Sequence, residues 1–156
     1  MSDASGENQT RDWSRGFVLR AGDKSLGLYQ PSPETAGYWQ GVERRELLLR
    51  ECLDCGTLHH PRRIVCSACA SAKLSWKRAS GEGTVYTYSE IHRTTGVFGA
   101  SVPYVVGIVK LAEGVYLFSR IVAAAERKVE IDAPVRVDFR VLEEGYLLPV
   151  FVVRGD

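Results

Sequence analysis

The sequence predicts a mainly β protein with an N-terminal helix, a cysteine segment held by a metal ion, and a small five-stranded barrel. Two Cys-x-x-Cys pairs stand ten residues apart, a helical pattern with a capping residue precedes them, and five β-rich runs follow Gly81. With 156 residues, 45% of them hydrophobic, the chain has room for one domain or two small modules. We divide it into a leader (1–31), the helix and cysteine segment (32–80) and the barrel (81–156).

The leader is polar and rich in Gly, Ser and Asp, with two short apolar patches, GFVLR and LGLY. We expect a mobile leader whose patches dock on a partner, with a disordered tail as the alternative. Its first residues lack the apolar core of a signal peptide, and the run YVVGIV is far too short to span a membrane. We therefore expect a cytoplasmic protein without a membrane segment, in which thiols stay reduced.

The run SPETAGYWQGVERREL predicts a helix. Ser32 suits the N-cap, Pro33 suits the first helical position, and the Glu34 carboxylate complements the positive end of the helix dipole. Tyr38 and Val42 lie four residues apart and so share one face. The following run LLLREC predicts a strand that leads into the cysteine segment.

The barrel prediction rests on five β-rich runs, most of them bounded by Gly, Pro or a Glu-Gly turn. Five strands of this length would leave few edges open, which favours a closed or nearly closed barrel over a flat sheet. The connection AAAERKVEI suits a short helix or turn. The five runs are GTVYTYSEIHR, PYVVGIVKLAEG, GVYLFSRIV, PVRVDFRVLEEG and YLLPVFVVRGD.

The cysteine spacing indicates a metal site. Each Cys-x-x-Cys turn presents two sulfurs, and the two turns Cys52/Cys55 and Cys66/Cys69 together supply the tetrahedron that zinc prefers. A rubredoxin-type iron, and disulfides or free thiols, are the alternatives. Such a site is closed to substrate, so we expect one structural ion rather than a catalytic one. Gly56 follows the first pair and eases its turn, whereas Ala70 follows the second.

Two histidines, His59 and His60, lie inside the cysteine segment and are candidate substitute ligands. Because four cysteines are already present, we expect these histidines to face solvent or to pack.

Several motifs together resemble the family catalogued as domain of unknown function thirty-five. They are YWQGVERREL, CLDCG, CSAC, GEGTVYTYSEIHR and PYVVGIVKLAEGVYLFSRIV, and the resemblance covers about residues 33–153. The most specific parts are the Tyr38-Trp39 pair, the run GEGTV and the Pro103-Tyr104 pair. The resemblance implies an N-terminal helix and a rubredoxin-like zinc ribbon followed by a five-stranded OB-fold barrel.

The resemblance also implies a function. Members of this family pair with thiolase-fold enzymes that act on acyl-CoA: thiolases, acyltransferases, synthases and aldolases. In such hetero-oligomers the partner carries the nucleophile, and the small subunit helps to complete the pocket. A coenzyme A thioester would then be a ligand shared by the complex, and the chain itself would be a non-catalytic accessory subunit.

A catalytic centre within this chain has little support. No Gly-x-Ser-x-Gly, His-Glu-x-x-His or phosphate-loop motif occurs. Strand alternation would place Glu90 and His92 on one face with Tyr86 and Tyr88, which makes an acid–base pair conceivable. We favour a polar face at a subunit contact, and expect no turnover by the isolated chain.

Nucleic-acid binding is the alternative function, because small barrels and zinc ribbons both serve it. Tyr86, Tyr88, Tyr104 and Tyr116 are candidate stacking residues. The barrel half carries ten acidic residues against eight basic ones and has no basic stripe among the tyrosines, so nucleic acid is the weaker reading.

Two groups of residues are candidate contacts to acyl-CoA or to the partner, besides His92. Eight basic residues against four acidic ones lie between Val42 and Arg78, and four of these cations, Arg62, Arg63, Lys77 and Arg78, suit phosphates or acidic partner residues; a solvated face is the alternative. Phe98 lies between glycines in the long connection RTTGVFGASVP, where we expect it to dock in the partner's acyl pocket.

Overall fold

The computed structural model describes residues 32–94, 101–123, 128–141 and 147–155. A short 3-10 turn, Pro33–Thr35, leads into helix α1, Ala36–Glu43. Three strands follow: β1 (Leu48–Cys52), β2 (Leu58–His59) and β3 (Leu74–Arg78). The barrel strands are β4 (Glu82–Ile91), β5 (Tyr104–Leu111), β6 (Tyr116–Val122), β7 (Pro134–Val141) and β8 (Leu147–Val153).

Helix α1 is shorter than the sequence predicted, because a left-handed turn ends it. Arg45 has a φ of 59°, its N–H donates to the Val42 carbonyl, and the N–H of Glu46 donates to the Gly41 carbonyl. This is the Schellman pattern, in which glycine usually occupies the left-handed position. The Arg45 side chain gives the turn a second contact, since its guanidinium donates to the Phe139 carbonyl of β7 at 3.0 Å.

The three-stranded antiparallel sheet, in the order β2-β1-β3, forms the ribbon. Trp76 of β3 joins this sheet to α1: a Cβ at Gly37 would stand 2.1 Å from the Trp76 indole nitrogen, so the helix approaches the ring only because residue 37 is glycine. The Arg50 guanidinium lies 3.6 Å from the centre of the same ring and donates to the Glu34 carbonyl. The predicted strand LLLREC is β1; β2 and β3 were not predicted.

The barrel strands are those that the sequence predicted, and they close in the order β4-β5-β6-β8-β7. Strands β4, β5 and β6 form an antiparallel meander, β6 pairs in parallel with β8, and β7 returns to β4. This five-stranded Greek-key barrel confirms the expected OB-fold. Its centre is filled by β-branched side chains, including fully buried Val85, Val109 and Val135.

A bulge in β4 overturns the expected alternation of its tyrosines. The pairing register with β5 shifts between Val85 and Thr87, so that Tyr86 is the extra residue. The Tyr86 ring meets that of Tyr116 on β6, edge to face at 5.0 Å, on the outside of the barrel. Tyr86 therefore does not share a face with Tyr88, contrary to the expectation from strict alternation.

The helix, the ribbon and the barrel share one hydrophobic core. Val42 of α1, Leu49 of β1 and Phe151 of β8 belong to the same buried cluster. The connection between β6 and β7 contains a turn at residues 131–132 in its described part. None of the helical segments within the described ranges has the length and apolarity that crossing a membrane requires.

Candidate metal centre and ligand groove

The four cysteines come together at the tip of the ribbon, as their spacing predicted. Their Sγ atoms all lie within 4.8 Å of one another, with 3.6 Å between Cys52 and Cys69 and 3.5 Å between Cys55 and Cys66. Sulfurs bound to zinc at about 2.3 Å stand about 3.8 Å apart at the corners of a tetrahedron. The cluster therefore fits a four-thiolate metal ion that has no position open for substrate.

The two cysteine turns use the same backbone geometry. Gly56 and Ala70 each follow the second cysteine of a pair, and have φ values of 74° and 59°. The N–H of Gly56 donates to the Cys52 carbonyl at 2.8 Å, and that of Ala70 donates to the Cys66 carbonyl at 3.0 Å. Ala70 thus keeps the turn that glycine usually makes, at the cost of a left-handed backbone that disfavours a Cβ.

Ala70→Gly is expected to stabilise the ribbon by about 0.5–1 kcal/mol, because it removes the left-handed penalty and retains the turn. Gly56→Ala is the matched opposite change, since no atom lies within 4 Å of a Cβ at that position. It should therefore reveal the backbone penalty alone and destabilise the ribbon. Chelator concentrations at half-loss of metal measure both effects; equal midpoints for Ala70→Gly and the parent would contradict the assignment.

Local hydrogen bonds reach two of the cysteine sulfurs, and those to Cys55 favour its thiolate form. The Thr57 hydroxyl lies 3.2 Å from the Cys55 sulfur, and hydrogen bonds from the Thr57 side chain and backbone lower the pKa of Cys55 to about 6. The N–H of Ala68 donates to the Cys66 sulfur at 3.3 Å. These contacts belong to the chain itself and arise from the two turns.

The two histidines of the ribbon occupy different positions. His59 is buried, and its Nε2 lies 3.2 Å from the Cys66 sulfur, so it packs against the cluster and hydrogen-bonds a ligand atom. The Nδ1 of His60 accepts the backbone N–H of Arg62 at 3.1 Å. Burial, followed by the charges of Arg62 and Arg63, lowers the pKa of His60, which favours its neutral form.

A groove of about 830 Å³ lies between the barrel, α1 and the ribbon. Its barrel side is the surface of β5, β6 and β8, which includes the strand pair that OB-folds commonly use for ligands. Opposite, Trp39 of α1 and the ribbon residues His60, Pro61 and Arg62 complete the walls. The barrel residues that line it include Tyr104, Val106, Phe118, Arg120, Leu148 and Val150.

The groove is largely aromatic and apolar, and two arginines, Arg62 and Arg120, are part of its lining. The Arg120 guanidinium lies 4.4 Å from the centre of the Tyr104 ring. Phe118 is 72% exposed, which is unusual for so large an apolar side chain on a strand. Beneath the groove, β6 and β8 pair at only two positions, and the Ser119 hydroxyl bridges the strands by donating to the Pro149 carbonyl.

The predicted contact residues do not all meet at this groove. Arg62 lines it, whereas Arg63, Lys77 and Arg78 are absent from its walls. The Lys77 ammonium pairs with Glu51 at 2.5 Å, and Arg78 pairs with Glu46 at 3.5 Å, on the ribbon surface. Phe98 belongs to residues 95–100, which lie outside the described residues, so its docking stays a prediction.

Glu90 and His92, the candidate acid–base pair, do not line the groove, although Ile91 between them does. The Nε2 of His92 stands 3.5 Å from a Glu90 oxygen, and both side chains are more than half exposed. Sequence reasoning missed Trp39, Phe118 and Arg120 as groove residues. The alternating pattern of β6 places Phe118 and Arg120 outward and could have indicated them, but only the covering helix shows that this surface is concave.

Two family models match consecutive parts of the chain and meet within β3, the last strand of the ribbon. Residues 39–75 match the family described as "ChsH2, rubredoxin-like zinc ribbon domain". Residues 76–140 match "ChsH2, C-terminal OB-fold domain". The first match agrees with the four-cysteine cluster and supports zinc as its metal.

Curated proteins are similar to this chain over most of the ribbon and the barrel. A "DUF35 domain-containing scaffold protein" of Methanothermobacter thermautotrophicus is 39% identical over 115 residues, which cover 72% of this chain and 86% of that protein. A "probable enoyl-CoA hydratase alpha subunit" of Thermomonospora curvata is 34% identical over 118 residues, covering 76% of this chain. The match spans only 37% of that hydratase subunit.

Solved structures agree with these relatives. A chain of the "Ltp2-ChsH2(DUF35) aldolase" superposes with a TM-score of 0.69 at 33% identity, covering 78% of this chain and 94% of that one. A DUF35 protein of Sulfolobus solfataricus gives a TM-score of 0.55 at 18% identity, which shows the shared fold. The chain described here therefore belongs to the DUF35 family, with a rubredoxin-like zinc ribbon followed by an OB-fold domain.

Proposed function

We propose that this chain is a non-catalytic accessory subunit of an acyl-CoA enzyme, that it binds a thiolase-fold partner, and that its groove completes the partner's pocket for the acyl-CoA thioester. The observation that carries the proposal is the groove on the β5–β6–β8 surface. Its volume of about 830 Å³ falls within the range of pockets for small ligands. Its aromatic lining suits an apolar group.

The cations of the groove suit the other end of such a ligand. Coenzyme A carries phosphates, and guanidinium groups bind phosphate with paired hydrogen bonds. Arg62 comes from the ribbon and Arg120 from the barrel, so the two line the groove from different modules. A thioester lying along the groove would place its apolar acyl group among the aromatic residues and its phosphates towards these arginines.

The named relatives support a partner enzyme. They include a scaffold protein, an alpha subunit of a probable enoyl-CoA hydratase, and an aldolase chain. A further relative, from Mycobacterium tuberculosis, is named as the alpha subunit of 3-oxo-4,17-pregnadiene-20-carboxyl-CoA hydratase. Scaffold and subunit are names for parts of assemblies. Two of these names refer to hydratases of CoA thioesters, and one refers to an aldolase.

Two features of the described residues favour an accessory role over catalysis by this chain. The four cysteines cluster as metal ligands at the ribbon tip. The side chains of Glu90 and His92 do not line the groove, although they flank Ile91, which does. Nucleic-acid binding, the alternative function, is less well supported because α1 and the ribbon confine the barrel surface that would receive an extended strand to a groove.

Arg62→Glu should weaken acyl-CoA binding by the assembled complex at least tenfold, because it replaces a cation of the groove with an anion. Arg63→Glu is the matched control: it makes the same change of charge in the adjacent residue, which does not line the groove. Affinity purification from the native host, with mass spectrometry, identifies the partner first. Titration calorimetry of the purified complex with acyl-CoA then compares the two variants.

Equal weakening by Arg62→Glu and Arg63→Glu would mean that general charge, rather than the groove, governs binding. Recovery of bound oligonucleotide in place of an enzyme subunit would overturn the proposed class. Turnover of acyl-CoA by the isolated chain, lost in His92→Ala, would overturn the non-catalytic role.

A further inference from the structure

We propose that the outer edge of β4 pairs with the same edge of a second copy of this chain, antiparallel and about a two-fold axis at Ser89. The proposal concerns self-association and does not depend on the groove or on its ligand. It rests on the pairing of β4, on the exposure of its side chains, and on the complementarity of the segment with itself.

The second half of β4 has an unpaired edge within the described residues. Strand β5 pairs with β4 from Gly83 to Ile91, on one side. On the other side β7 pairs with Glu82, Gly83 and Thr84 only. Backbone bonds of Val85 with Asp132 and Ala133 then end the contact. Residues 86–91 thus pair along one edge, and the groups of the second edge have no strand partner in the described part of the chain.

Apart from the bulge at its start, this edge lacks the protection that edge strands usually carry. Exposed edges in monomers are commonly blocked by lysine, by proline, by a covering segment or by a bulge. Residues 86–90 are all exposed, and the segment Tyr-Thr-Tyr-Ser-Glu-Ile contains neither lysine nor proline. Tyrosine, threonine and isoleucine also favour the extended conformation. The bulge at Tyr86 twists the edge but leaves the residues beyond it in register with β5.

The segment is complementary to itself when the axis passes through Ser89. Thr87 then lies opposite Ile91 of the second copy, a pair of β-branched residues. Tyr88 lies opposite Glu90, so a phenol can donate to a carboxylate. Because of the two-fold symmetry, each of these contacts occurs twice in the dimer. All residues from 87 to 91, the part of β4 beyond the bulge, find a counterpart in this alignment.

The charge of Glu90 argues against an alignment whose two-fold axis passes through that residue. An axis through Glu90 would oppose the two Glu90 carboxylates directly, which destabilises a strand pair. With the axis at Ser89, each Glu90 faces a hydroxyl and keeps its own His92 at 3.5 Å. A second copy can therefore pair with the backbone groups of this edge without placing like charges directly opposite each other.

A charge-swap experiment tests this pairing at the axis. Ser89→Lys opposes two ammonium groups and Ser89→Asp opposes two carboxylates, so each variant alone should raise the dimer dissociation constant at least tenfold, by sedimentation equilibrium. An equimolar mixture should restore association, because lysine of one copy then faces aspartate of the other. Lys110→Asp, an exposed change on the interior strand β5, is the control and should leave the dissociation constant within a factor of two.

Each alternative result overturns the pairing. A parent protein that is monomeric at every concentration reached would do so, as would a dimer unaffected by both Ser89 variants. Failure of the mixture to restore association would exclude the axis at Ser89. A monomeric parent whose binding to its enzyme partner is lost in Ser89→Lys would assign the edge to that partner instead of to a second copy.

Discussion

Replacing Cys52 by serine is expected to unfold the ribbon and to abolish the zinc content of the protein. The cysteine segment is too small to bury a core of its own, so the metal provides the free energy that a core would otherwise supply. Zinc sites of this kind contribute about 10 kcal/mol or more to folding. Cys66→Ser should act in the same way, because its sulfur lies within the same cluster. Loss of partner binding should accompany both changes.

Elemental analysis of the parent should find about one zinc per chain, and near none in either variant. Ser67→Ala, an exposed change between the cysteines of the second pair, is the control and should retain the metal. The barrel should keep its dispersed amide signals in NMR spectra, though at reduced stability, because Val42 and Leu49 share its core. An intact parent with two disulfides and no metal would show that the cluster is not a metal site.

Gly107→Ala should destabilise the barrel by about 3 kcal/mol, because the new methyl group has no space. A Cβ on Gly107 would stand 2.2 Å from the Thr87 carbonyl oxygen and 2.7 Å from the end of the Ile121 side chain. The first of these atoms belongs to the backbone of β4, so relief requires a shift of the β4–β5 pair rather than a change of rotamer.

The thermal midpoint of Gly107→Ala should fall by on the order of 10 °C. Gly114→Ala is the matched control, since nothing lies within 4 Å of its Cβ and only its φ of 78° opposes alanine. It should lose about 1 kcal/mol. Equal midpoints for the two variants would show that the contact with Thr87 costs no more than a left-handed backbone does, and that the β4–β5 pair accommodates the methyl group.

The ribbon tip and the barrel strands could be predicted because their signals are local. Each cysteine pair forms its own turn, and each barrel strand carries its own apolar pattern with a turn residue at its end. The early end of α1 could not be predicted in this way. Arg45 adopts a conformation that sequence rules reserve for glycine, and its side chain contacts Phe139, which is 94 residues away in sequence.

The groove could not be predicted because it depends on how modules pack together. Phe118 and Arg62 are far apart in the sequence, and no local pattern shows that the ribbon approaches β6. The bulge at Tyr86 was hidden for a related reason: its register shift is defined by the opposite strand, not by β4 alone. Alternation counted along β4 therefore assigned the wrong face to this tyrosine.

The strand order of the barrel has a consequence for synthesis on the ribosome. Strand β8 is the last to be made of the eight described, yet it lies between β6 and β7. The nascent barrel cannot close until β8 has left the exit tunnel. Until then, the edges of β6 and β7 that pair with β8 have no strand partner. The ribbon has no such delay, because its four ligands emerge within one short segment. Metal capture can therefore precede barrel closure, so that the newly made chain already carries one folded module while the other is incomplete.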